Sequence, residues 1–419
     1  MMIVFFAMGT LGDVLPYIKI ARSLQSRKRK VLFLSNEVFR EVITAHGFFF
    51  YPVADRETFN RVFSNPRTWS LEGVDQHVID YHLPAYRPAY EFMRDLVGSG
   101  EKVLAVYQSG MNGVKMACME FGIPSVQVVL APSAFHSSVD PCFPMRAQVA
   151  EKDREKVMPV LVRKMKEKQF DMFVDPFVNP LRRELGLEDW SASEAEKMES
   201  EVHRVALFPD WFRPVPSDWP KELRCLGFAL DDQKTPRSEA MDVYSAFCKR
   251  HGEPIVFAPG TAFGQSDRYV QWAQQVCEAM GKPGVFIGPH VSPAVKYGGR
   301  NFLCVDYLQF VAAFKQACLV VHHGGIGTIV AALQAGVPQI SRPLTFDQPD
   351  NSYWLYRLGI ANAFDSDSYC AESFAELATE LLGRPNLKRD TEKYRKMTLK
   401  QDGARSTAKY IEELITGMS

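Results

Sequence analysis

Two stretches hold residues whose types and spacing could do chemistry. In the first, His322-His323-Gly324-Gly325-Ile326-Gly327-Thr328 links an apolar run, Cys318-Leu319-Val320-Val321, to a short helical segment, Ile329 to Gln334. Gly336 stops that segment and Pro338 follows, as at a helix C-terminus. Strand, glycine turn and helix together aim free backbone N–H groups and a positive helix end at one point, which suits a phosphate. Glycines let that anion come close to the backbone. One strand later stand Asp347, Gln348 and Asn351. A carboxylate beside an amide both accepts and donates hydrogen bonds, as ligand hydroxyls require. The turn alone says little, since it lacks the Lys-Ser/Thr of a P-loop and is not GxGxxG. Its histidines and the Asp-Gln pair give the combination its weight. In the second stretch, Gly9-Thr10-Leu11-Gly12-Asp13-Val14, Asp13 stands in a glycine turn at the start of a helix, where an Asp can serve as the cap.

Around these stretches the sequence alternates strands and helices. Ile3–Ala7, Val31–Leu34 and Phe48–Val53 read as strands joined by helices at 17–26 and 37–46, which predicts a doubly wound parallel sheet. Val103–Tyr107, Ser125–Leu130 and Val205–Phe208 continue it. Prolines and acidic residues between 213 and 237 mark a linker, with Leu226–Phe228 as a short strand inside it. The rhythm resumes with Ile255–Ala258, which ends in the turn Pro259-Gly260-Thr261, then Gly284–Ile287 and Phe302–Val305. The expected organisation is residues 1–215, a linker at 216–237, a second domain at 238–400, and a terminal helix at 401–419 packing back on the first domain. Such tandem α/β domains usually bind ligand in the cleft between them.

Composition removes several classes. Lys+Arg and Asp+Glu are both 49, so no basic surplus points to nucleic acid. Eight scattered cysteines without a CxxC pair read as reduced thiols. No apolar run reaches the ~20 residues of a membrane span, and Met1–Ala7 reads as a first strand rather than a signal peptide.

The order HHGGIGT, GVPQ, DQPDN at 322–351 resembles the nucleotide-sugar signature of the GT-B glycosyltransferases, in the family of UDP-glucosyltransferases and bacterial antibiotic glycosyltransferases. GTLGDVLP at 9–16 resembles an element of their sterol and glycopeptide branch, and LFPDWFRPVPSDWP at 207–220 is similar to the rhamnolipid rhamnosyltransferases. The resemblance implies two Rossmann-like domains, acceptor side first and donor side second. It implies that His322, Gly324, Gly325, Gly327 and Thr328, with Gly260 and Thr261, contact the donor diphosphate. Asp347 and Gln348 would hold the sugar, and Tyr307 would stack on the nucleobase. Asp13 would be the general base, with Gly12, Trp69, Phe135 and His136 beside the acceptor. His323 is read as structural or functional with equal weight. Many family members place a ribose-binding Glu where Val330 stands here, a departure that fits a dTDP-sugar.

The expected activity is therefore metal-independent, inverting transfer of a hexose from a UDP- or dTDP-sugar co-substrate to a small lipophilic acceptor: a lipid, a hydroxy fatty acid or an aromatic natural product. No further cofactor is implied. The expected protein is a cytoplasmic monomer or homodimer, with peripheral contact at the inner membrane face if the acceptor is a lipid. The alternatives are a nucleotide-sugar epimerase of the same fold and a noncatalytic partner of a glycosyltransferase.

Overall fold

The computed structural model describes residues 1–70, 73–110, 112–143, 145–194, 202–230, 238–260, 267–288 and 301–417. Two compact units divide it: Met1–Gly227 together with Gly403–Ser419, and Phe228–Asp402. Of the expected linker, 216–227 therefore belongs to the first unit, and 231–237 lies outside the described residues, as does Thr261.

In the first unit seven strands form one parallel sheet: β1 (Met2–Phe6), β2 (Lys30–Asn36), β3 (Phe49–Ala54), β4 (Val103–Gln108), β5 (Ser125–Val129), β6 (His203–Ala206) and β7 (Arg224–Cys225), in the order β3-β2-β1-β4-β5-β6-β7. The expected short strand at Leu226–Phe228 is instead β7, two residues earlier, and it pairs with β6. Both faces of this sheet are covered, which is why β1 reads as unbroken apolar sequence. Val4, Phe6 and Met8 pack with Leu34, Tyr86, Tyr90 and Met93, so Tyr86 and Tyr90 serve the core.

The second sheet has six parallel strands: β8 (Ile255–Ala258), β9 (Gly284–Ile287), β10 (Phe302–Val305), β11 (Leu319–His322), β12 (Gln339–Ser341) and β13 (Ala361–Ala363), ordered β10-β9-β8-β11-β12-β13. The order reverses between β1 and β4 in one sheet and between β8 and β11 in the other. A reversal leaves a crevice beyond the strand ends, where open α/β sheets bind ligands.

Five helices frame or support these two edges: α1 (Leu11–Gln25), α2 (Tyr86–Gly98), α3 (Ile326–Ala335), α4 (Gln348–Arg357) and α5 (Gly403–Gly417). The helix α5 packs on α1. The Arg29 guanidinium donates to both Glu412 carboxylate oxygens, at 2.9 Å and 3.1 Å from Nε. Tyr410 is hydrogen-bonded to His203 at 2.9 Å.

Candidate active site

At the first reversal, β1 runs into Met8-Gly9-Thr10 and then α1. Thr10 is the N-cap and Asp13 the third helical residue. The Thr10 backbone N–H and hydroxyl both donate to Asp13 Oδ2, at 2.7 Å and 2.9 Å, so Asp13 is not the N-cap itself but closes a capping box from the third helical position. Gly9 has φ +116°, and a Cβ there would meet Asp13 Oδ2 at 2.4 Å. Only glycine lets the carboxylate lie back against the turn. Tyr81 Oη donates to the Gly9 carbonyl at 3.2 Å, and Tyr17 Oη to the Val128 carbonyl at 2.8 Å. Burial raises the pKa of Asp13 above the usual carboxylate value, against the lowering effect of its Thr10 bonds. A half-buried carboxylate with a raised pKa is a better base than a free one.

The expected acceptor residues divide. Gly12 is exposed. Trp69 is half-buried, beside an aromatic group of Phe59, Phe63, His77 and Tyr81. Phe135 is 9% exposed, with its ring 4.7 Å from that of Trp219. Its ring packs against Trp219, which leaves little of its apolar surface exposed. His136 is half-buried, with Nε2 3.4 Å from the Gln169 amide.

At the second reversal β8 and β11 lie side by side, with His322 opposite Ala258. The expectation that His322 faces the diphosphate is corrected here. His322 is fully buried. Its Nδ1 accepts the Gly324 N–H at 2.9 Å, so Nε2 carries the proton and donates to Gln339 Oε1 at 3.0 Å. Both ring nitrogens are committed, one to the turn and one to the neighbouring strand. His323, half-buried, takes the outer side of the turn. A Cβ on Gly260 would meet its ring at 2.7 Å, and one on Gly325 would meet Nε2 at 2.3 Å. The imidazole thus lies between the two glycine turns, beside the start of α3.

The glycines also differ in role. Gly325 is the N-cap of α3, and Gly327 in its first turn faces open space. The first N–H groups of any helix lack partners within it, so this end can receive an anion. Thr328 is buried, 7% exposed, with less of its hydroxyl on offer than expected. Gly324 is also required for packing: it has φ +89°, and a Cβ would meet Ser352 Oγ at 2.6 Å and the Gln348 carbonyl at 3.0 Å. Its absent side chain lets α4 close on the turn, where Asn351 Nδ2 donates to the Gly324 carbonyl at 3.1 Å and to Asp347 Oδ2 at 2.6 Å. Gly324→Ala should therefore destabilise the protein by about 1–3 kcal/mol, measured by denaturant unfolding; an unchanged midpoint would contradict this packing.

Asp347 caps α4, and Gln348 Oε1 accepts the Leu344 N–H at 2.9 Å. That bond turns the Gln348 oxygen inward, and the residue is 5% exposed. The structure thus gathers Gly260, His323, Gly325, Asp347 and Gln348 at one edge. Tyr307, 67% exposed, follows β10 two strands away. Val330 is 5% exposed and packed inward, so α3 presents no ligand side chain there.

Burial holds four histidines neutral: His77 and His323 at about 4, His82 and His322 at about 3. For His322 and His82 a neighbouring imidazole adds to the effect. The unfolded state, with imidazole pKa near 6.5, binds these protons more readily. Stability should therefore fall as pH drops below about 6.5, by about 1–2 kcal/mol per histidine at pH 5. Thermal midpoints at pH 7.5 and pH 5 test this, and equal midpoints would refute it.

Comparison with known proteins agrees with this geometry. Residues 292–414 match the model of the erythromycin biosynthesis protein CIII-like, C-terminal domain. The chain is 24% identical to a sterol 3-beta-glucosyltransferase of Cryptococcus neoformans across 87% of its own length, and spans only 24% of that longer protein. It is 23% identical to the O-mycaminosyltylonolide 6-deoxyallosyltransferase of Streptomyces fradiae, over 86% of this chain and 85% of that one. The crystal structure of the kitacinnamycin glycosyltransferase superposes with a TM-score of 0.68 at 19% identity, covering 98% of each chain. The glycosyltransferase VinC, solved in complex with dTDP, gives 0.62 at 16% identity over 99% of each. The two parallel-sheet units have the GT-B fold of these solved glycosyltransferases. Within that fold, residues 292–414 carry the match to the EryCIII-like C-terminal domain. Among the described residues, no helix is long and apolar enough to cross a membrane.

Proposed function

We propose that this chain transfers a hexose from a UDP- or dTDP-sugar to a hydroxyl of a small lipophilic acceptor, in one displacement with inversion. The observation that carries the reading is Asp13, a half-buried carboxylate with a raised pKa, fixed at a strand reversal by Gly9 and Thr10. Asp13 takes the acceptor hydroxyl proton as that oxygen bonds to the anomeric carbon. The bond from that carbon to the diphosphate breaks, and the nucleoside diphosphate leaves with the electron pair. The leaving charge falls on His323, Gly260 and the open first turn of α3, which are fixed before the reaction and so need little rearrangement. Asp347 and the Gln348 amide hold sugar hydroxyls, and Tyr307 offers its ring to the base. No metal takes part in this scheme. The dTDP in the VinC complex and the sterol and O-mycaminosyltylonolide in the names of the relatives support the donor and acceptor classes.

The test titrates UDP-glucose, UDP-N-acetylglucosamine, dTDP-glucose and dTDP-rhamnose by thermal shift, then offers the binding donor with sterols and 3-hydroxy fatty acids, with and without EDTA. Transfer to a lipophilic alcohol, unchanged by EDTA and yielding the inverted anomer, is expected. Donor binding with no transfer would favour the noncatalytic reading, and interconversion of the free nucleotide sugar would favour the epimerase.

A further inference from the structure

The segment Leu207–Pro220, LFPDWFRPVPSDWP, has no part in the chemistry above, yet it holds another loop in place. After β5 the chain leaves the same sheet edge as the Asp13 turn and runs through 131–143. Short 3-10 structure covers Pro132–Ala134, and no helix or strand covers 136–143. One carboxylate, Asp218, gathers three consecutive residues of this loop. Its Oδ1 accepts the Ser137 hydroxyl at 2.7 Å, and its Oδ2 accepts the Ser138 N–H at 2.7 Å, the Ser138 hydroxyl at 2.9 Å and the Val139 N–H at 3.3 Å. Arg213, 2% exposed, donates from Nη2 to the Asp140 carbonyl at 2.7 Å and pairs with the Asp140 carboxylate. Trp219, 4% exposed, packs on Phe135. Successive loop residues are thus held by one motif some eighty positions away.

We propose that Asp218, supported by Arg213, sets acceptor selectivity: it is a positioning residue that fixes the 131–143 loop, and with it His136, at the acceptor edge of the first sheet. This rests on the reading that the first unit takes the acceptor. A loop with no ladder of its own would sample many shapes. Four bonds to one carboxylate choose one shape, so a rigid wall rather than an adaptable one meets the acceptor. These bonds lower the Asp218 pKa although burial opposes them, so the carboxylate stays ionised, and the loop held, at neutral pH.

The experiment compares the full-length protein with Asp218→Ala and Asp218→Asn. It measures binding of UDP and dTDP, binding of a sterol and of 3-hydroxydecanoate, and amide deuterium exchange over 137–140. In Asp218→Ala the loop amides should exchange faster, and the ratio of sterol to hydroxydecanoate affinity should change on the order of tenfold. Nucleotide affinity should stay within about twofold, as for a site whose contacts are untouched. Asp218→Asn, which keeps one acceptor oxygen, should fall between. Faster loop exchange with an unchanged affinity ratio would make the motif purely structural and overturn the inference, and so would unchanged exchange. Absence of nucleotide binding in the unaltered protein would instead count against the transferase reading, and the affinity ratio would still decide this one.

Discussion

Asp13→Asn should lower turnover by on the order of 10²–10⁴-fold and leave nucleotide-sugar binding unchanged. The substitution separates the two roles the residue holds. An asparagine oxygen can still accept from the Thr10 N–H and hydroxyl, so the start of α1 survives and the melting temperature should move little. What is lost is the capacity to take a proton. The pH profile of kcat/KM carries a second signature. Because burial raises the Asp13 pKa, activity in the unaltered protein should disappear as pH falls through that raised value, above the range of a free carboxylate. A variant that kept turnover within about tenfold would remove Asp13 from the chemistry and return it to helix capping alone.

The second large effect separates two adjacent histidines. His323→Ala should weaken binding of the nucleoside diphosphate by on the order of 10²-fold, with little change in stability, because this ring lies between two glycine turns and few groups depend on it. His322→Ala should do the opposite. It strands the Gly324 N–H and Gln339 Oε1 in a buried place and leaves a cavity, at a cost of about 2–4 kcal/mol. Isothermal titration with UDP and dTDP, paired with urea unfolding of both variants, distinguishes them. If His322→Ala abolished nucleotide binding while unfolding at the same urea concentration as the unaltered protein, the assignment would reverse.

That reversal of roles shows where sequence reading ended. The strands were legible because β1, β4, β8 and β11 are buried on both faces and therefore read as apolar runs. The glycine turns and the Asp-Gln pair were legible because their chemistry demands unusual residue types. Which of two neighbouring histidines faces outward was not, since it depends on strand register: His322 lies across from Ser341 and bonds to Gln339 on β12, seventeen residues on. No local pattern carries that pairing. The packing of Phe135 was not legible for a similar reason, its partner Trp219 lying far along the chain. The strand β13 and helix α4 escaped notice because three residues show no period, and QPDNSYWLYR has little helical propensity of its own. Packing against Gly324 and the Asn351 bonds to the Gly324 carbonyl and Asp347 hold α4 instead.

The chain leaves its first unit at Gly227 and returns to it at Gly403. The second unit is thus an insert, continuous in sequence, while the first is sewn from two separated pieces. A chimera of two such proteins made with a single crossover near residue 228 would give the first unit of one parent the closing helix of the other. Arg29 would then face whatever replaces Glu412, and His203 whatever replaces Tyr410. Exchanging donor modules cleanly calls for two junctions, at 227/228 and 402/403. Natural recombination would meet the same demand, so halves of this architecture should pass between lineages as cassettes rather than as tails.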